Sequence, residues 1–133
     1  MTASAAVTGM DACMTSCMHP ATVADVRERM LPERDVARVA AVFKLLGDPT
    51  RASLLYALLE TGELCVCDLA AAVGIAEATV SQALRLLRTT GVVTGRRQGR
   101  LVYYRLADAH VRMLLDLTRE HVQHGSVASG GSA

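Results

Sequence analysis

The chain has 133 residues, enough to bury one hydrophobic core with tails and too few for two cores of ordinary size. Its composition is 51% hydrophobic yet includes only one Phe, three Tyr and no Trp, which favours a mostly helical build and excludes an aromatic-rich sheet protein. The net charge of +1 conceals a division: six arginines and no acidic residue lie between Ala78 and Ala107, leaving eight of the 14 basic residues against all 13 acidic ones elsewhere. Such a local basic stripe suits phosphate contact.

Residues 1–20 combine small residues, four methionines, Cys13 and Cys17 without a period, and are expected to form a mobile arm. No Lys or Arg precedes Arg27, so the chain lacks the charged start of a secretory signal. No apolar run approaches the roughly 18 residues of a membrane span. A cytoplasmic protein without a membrane partner is expected.

From Glu33 to Leu46, Val36, Val39, Ala40, Phe43 and Leu46 recur at helical spacing, and Gly47 stops the helix. Asp48 as N-cap and Pro49 at the first helical position open a second helix that runs to Gly62. The tether Glu63-Leu64-Cys65-Val66-Cys67 leads into a short helix, Asp68–Val73, broken by Gly74. Val80, Ala83, Leu84 and Leu87 mark the buried stripe of the next helix and leave Thr79, Ser81, Gln82, Arg85 and Arg88 outward. Two strand-like runs, Val92–Thr94 and Leu101–Tyr104, flank Gly95–Arg100 as a basic hairpin. A last helix from Asp108 carries Val111, Leu114, Leu115, Thr118 and Val122, and residues 125–133 have the composition of a disordered tail. The expected domain is 21–124.

Short helix, glycine turn, second helix and basic hairpin are the order of a winged helix-turn-helix. One helix fits the major groove, so Thr79, Ser81, Gln82 and Arg85 are candidates to face base edges, and Arg88 a backbone phosphate. Arg96, Arg97 and Arg100 at the hairpin tip would grip phosphate or the minor groove. Four cysteines in two close pairs, in a cytoplasmic setting, point to metal or redox chemistry before structural disulfides. Thiolates suit zinc, cadmium, lead or copper(I). Positions two apart do not share a helix face, so Cys65 and Cys67 can chelate together only where the tether is extended or just entering the helix. A helix N-terminus there would favour the thiolate.

Asp108, His110, His121 and His124 form a second candidate group on the last helix. At ~100° per residue His121 returns to within roughly 20° of the face of His110, but the two stand roughly 16 Å apart along the axis. One ion can reach both ends only if a second copy packs antiparallel, giving two tetrahedral zinc sites across a twofold interface. No nucleophile elbow, phosphate loop or open metal position suggests an enzyme.

The runs Leu46-Gly47-Asp48-Pro49-Thr50-Arg51, Glu63-Leu64-Cys65-Val66-Cys67-Asp68-Leu69-Ala70, Thr79-Val80-Ser81-Gln82-Ala83-Leu84 and Gly99–Leu106 resemble the ArsR/SmtB family of metal-sensing repressors, over about Val36 to His124. The resemblance implies a mainly α fold with a small β-hairpin, dimerised through its terminal helices. It further implies a dimer that occupies an inverted-repeat operator without metal and releases it on metal binding. Cys13, Cys17, Cys65 and Cys67 match the CadC-like cadmium, lead and zinc sensors, in which an arm supplies one pair and crosses to the other subunit. Arsenic-sensing members place a further cysteine where this chain has Ala70, which puts response to arsenic(III) or antimony(III) second, with a repressor that senses thiol redox state through its cysteine pairs as the other alternative. The spacing of Asp108, His110, His121 and His124 recurs in zinc- and cobalt-sensing members. Ala76 departs from the Ser or Thr that usually caps the recognition helix.

Overall fold

The computed structural model describes residues 17–132, with side chains described to Gly125. The chain divides into two compact units, Met1–Val39 and Ala40–Ala133. The first holds α1 (Pro20–Arg29), a helix absent from the sequence reading, which begins on a proline and carries an Asp25–Arg29 ion pair at 3.2 Å. The described residues also include α2 (Glu33–Leu46), as expected, although Val36, Val39 and Phe43 of its apolar stripe are exposed and Leu45 is its buried residue.

In the second unit α3 (Pro49–Thr61) starts as its first residues predict. The Asp48 carboxylate accepts a hydrogen bond from the Arg51 amide at 3.0 Å, and Pro49 needs no partner at the first turn. Leu54, Leu55 and Leu58 bury one face of α3 completely. They meet Leu69 of α4 (Val66–Val73), Val80, Leu84 and Leu87 of α5 (Glu77–Thr89), and Val93 of β2 (Val93–Gln98). Each such side chain contributes about 1.5–3 kcal/mol by leaving water, so this cluster holds α4 and α5 in place. Gly74 turns the chain between α4 and α5: its φ of +71° suits a residue without Cβ, and its amide bonds to the Ala70 carbonyl at 2.9 Å.

A three-stranded antiparallel sheet completes the unit in the order β1, β3, β2, with β1 spanning Leu64–Cys65 and β3 Leu101–Leu106. Leu64 lies opposite Tyr104 and Cys65 opposite Tyr103. The hairpin is longer than the sequence suggested. β2 runs on to Gln98, so Arg96 and Arg97 are paired strand residues opposite Tyr103 and Val102, and only Gly99 and Arg100 form the turn. Gly95 stays in the strand because the Tyr104 ring and Val102 lie where a side chain would stand, 3.2 Å from an added Cβ.

The last helix, α6 (Ala109–Ser132), buries Leu115 and half-buries Val111 and Leu114. It continues through the segment that composition marks as a tail from Gly125. Among the described residues no single helix is long and apolar enough to cross a membrane.

Candidate metal and nucleic-acid sites

Cys65 ends β1 and Cys67 falls in the first turn of α4, so the pair sits where an extended chain becomes helical. That junction overcomes the two-residue spacing: the sulfurs are 3.4 Å apart. Two sulfurs about 2.3 Å from a tetrahedral zinc would be roughly 3.8 Å apart, so a shift of a few tenths of an ångström would fit the pair to one ion. Cys65 is only 3% exposed, whereas Cys67 is open to solvent. Asp68 joins them, and one ligand atom from each of the three lies within 4.8 Å of the others. Asp68 was not singled out in the sequence, although it directly follows Cys67. The Cys67 thiol is pushed above its ordinary value, first by its contact with the Cys65 sulfur, then by burial, and then by negative charge on Cys65, Asp68 and Glu77. Cys67 thus departs from the thiolate preference expected of a helix N-terminus, because the paired sulfur, burial and nearby negative charge all favour its protonated form.

Cys17 is half-buried ahead of α1 in the first unit, and Cys13 lies outside the described residues. Asp108 behaves as a helix cap, its carboxylate accepting from the Val111 amide at 3.1 Å while standing 3.6 Å from His110 Nδ1. His110, His121 and His124 are exposed on α6. Within one chain the structure brings Asp108 and His110 together and leaves His121 and His124 some three turns further along.

On α5, Val80, Ala83, Leu84 and Leu87 are buried, and Thr79, Gln82, Arg85 and Arg88 are exposed with Ser81 half-exposed. The outward row is the one the periodicity indicates. Ala76 precedes the helix with no side-chain cap. On the hairpin Arg97 and Arg100 are exposed. Arg96 is engaged instead: its Nε donates to Glu63 Oε2 at 3.0 Å, Nη2 to Glu63 Oε1 at 2.8 Å and Nη1 to Gln98 Oε1 at 2.6 Å. Its guanidinium also lies 5.1 Å from the Tyr103 ring centroid.

A profile of bacterial regulatory proteins of the arsR family matches residues 48–94, from the cap of α3 through α4 and α5 into β2. A cadmium resistance transcriptional regulatory protein CadC homologue of Staphylococcus aureus is 41% identical over 80% of this chain and 87% of its own. The chain belongs to the arsR family. Among solved arsR-like structures, the antimony-specific transcriptional repressor AntR shares 34% identity over 73% of this chain and 87% of its own, with a TM-score of 0.67. A homodimeric winged helix-turn-helix DNA-binding domain from Mycobacterium bovis shares 35% identity over 71% and 93%, with a TM-score of 0.62. In this arsR-family chain Glu63 and Tyr103, like Asp68, escaped the sequence reading. Glu63 and Tyr103 become visible only once the strands are known to pair.

Proposed function

We propose that this regulator is a cytoplasmic, non-catalytic homodimer that binds inverted-repeat operator DNA without metal and leaves it on binding Cd(II), Pb(II) or Zn(II), derepressing metal efflux or resistance genes. The observation that carries the reading is the Cys65 and Cys67 pair, 3.4 Å apart at the junction that leads into the helix pair. Two sulfurs do not fill a tetrahedron, so Cys13 and Cys17 of an N-terminal arm, residues 1–20, supply the others. Residues 21–124 form the DNA-binding and dimerisation domain, and 125–133 a tail. Thr79, Ser81, Gln82 and Arg85 of α5 enter the major groove, and Arg88, Arg97 and Arg100 contact backbone phosphate. Asp108 and His110 of one subunit with His121 and His124 of the other form a separate Zn(II) site. A homodimer is supported by the Mycobacterium bovis relative, and cadmium by the Staphylococcus aureus one.

The coupling required is modest. A hundredfold loss of operator affinity needs a difference of about 3 kcal/mol between metal-bound and metal-free dimers. A second reading, response to arsenic(III) or antimony(III), is favoured by the likeness to AntR, and would need three thiolates, one of them from the arm.

An operator titration with zinc, cadmium, lead and arsenite tests both readings. We expect the divalent ions to release the unaltered protein and Cys65→Ser with Cys67→Ser to remain bound. His121→Ala with His124→Ala should lose only the response of the zinc site. Release that survives in both double variants would refute the assigned ligands, and release by arsenite alone would favour the second reading.

A further inference from the structure

The geometry points to a latch: Glu63 and Arg96 tie the cysteine-bearing tether to the wing and pass a displacement at Cys65 on to the β2–β3 hairpin. This rests on the metal-sensing reading above and gives it a route within one subunit.

The connection closes on itself. Glu63 precedes Cys65 by two residues on the tether. Cys65 stands opposite Tyr103 across β1 and β3, and Tyr103 stands opposite Arg96 across β3 and β2. Arg96 returns to Glu63 through two hydrogen bonds of 2.8 and 3.0 Å, while its plane rests over the Tyr103 ring. Cys65, Tyr103 and Arg96 therefore occupy one row of the sheet, and the ion pair joins the far end of that row, Arg96, to Glu63, two residues before Cys65 on the tether.

A partly solvated ion pair does little for stability, and the Arg96 and Glu63 side chains are 54% and 29% exposed. What the paired fork supplies is orientation. Two parallel bonds fix the plane of the guanidinium, and the bond to Gln98 fixes it against its own strand. Arg96 is thus held at the root of the wing, while Arg97 and Arg100 beyond it remain exposed for phosphate. An ion that draws the two sulfurs into its coordination shell moves the end of β1. Glu63, two residues upstream, carries that movement to the wing, and the exposed arginines lose their register on the DNA.

The test uses the full chain, cadmium as the ion, and a duplex operator selected by the unaltered protein from a random library. Operator affinity is measured by fluorescence anisotropy with and without cadmium, and cadmium binding separately by chelator competition. Glu63→Gln should bind cadmium normally and bind metal-free operator within about twofold of the unaltered chain. Its cadmium-driven loss of affinity should shrink at least about tenfold. Arg96→Lys keeps the positive charge and loses the fork, and should lose the response likewise. The double variant should be no worse than either single one, because both remove the same connection. Undiminished release in Glu63→Gln, or a metal response retained by Arg96→Lys, would overturn the latch while leaving the sensor reading intact. If cadmium fails to release the unaltered protein, both fall.

Discussion

At the scale of single residues, the two cysteines of the tether are chemically unlike. Cys65 is almost fully buried and Cys67 is open, so an arriving ion meets Cys67 first and takes up Cys65 only as the two sulfurs spread from 3.4 Å toward the spacing that one ion holds. Because the Cys67 thiol is raised by its neighbours, it keeps its proton at neutral pH and must give it up to bind. Apparent cadmium affinity should therefore fall as pH is lowered from about 8 to about 6, with protons released on binding. Chelator competition across that range checks it, and a flat profile would contradict the assignment of Cys67 as a ligand. The sequence made both cysteines visible, since their spacing and setting already demanded a junction between extended and helical chain. It did not make Asp68 visible as a third neighbour, because a carboxylate in the first turn of a helix has an ordinary reason to be there.

At the scale of elements, the parts read correctly are those with strong local punctuation. Asp48 and Pro49 announce α3, Gly74 announces the turn, and the stripe of Val80, Ala83, Leu84 and Leu87 announces α5. The parts misread lack it. β1 is two residues long, too short for a period of two to register, and α1 carries no buried residue whose spacing could have revealed it. The hairpin was read short because Gly95, Arg96 and Arg97 have loop composition. The glycine is required by the Tyr104 ring above it, and the arginine is held by Glu63, a tether residue far off in sequence. One element remains unfinished: Ala76, the residue that precedes α5, has no side chain to accept from the helix's first amides. Ala76→Ser should supply that acceptor and raise stability by about 1 kcal/mol, measured by urea unfolding. No gain would mean that water satisfies those amides as well as a serine hydroxyl does.

At the scale of the whole molecule, the apolar surface is larger than a lone chain would keep. Phe43 of α2 is 58% exposed, and Met113, Leu117 and Val122 of α6 are exposed as well. Beside Phe43 an apolar cavity of about 280 Å³ is lined by Leu46, Leu55, Tyr56, Leu114 and Leu115. Exposed apolar area of this kind marks a surface meant to be covered, and in the proposed homodimer a second copy would cover it. Phe43→Lys should shift the protein toward monomer in sedimentation and weaken operator binding by tenfold or more, since two half-sites about 34 Å apart need two recognition helices. A dimer of undiminished strength would move the interface elsewhere. Finally, β1 is attached to the sheet by only two residue pairs, whereas the leucines of α3 and α5 are fully enclosed. Segments with so few pairs open on a shorter clock than the body they belong to. The strand that carries Cys65 can therefore come away and return many times while the core never unfolds, and if that sulfur senses metal, the speed of sensing is set apart from the lifetime of the fold.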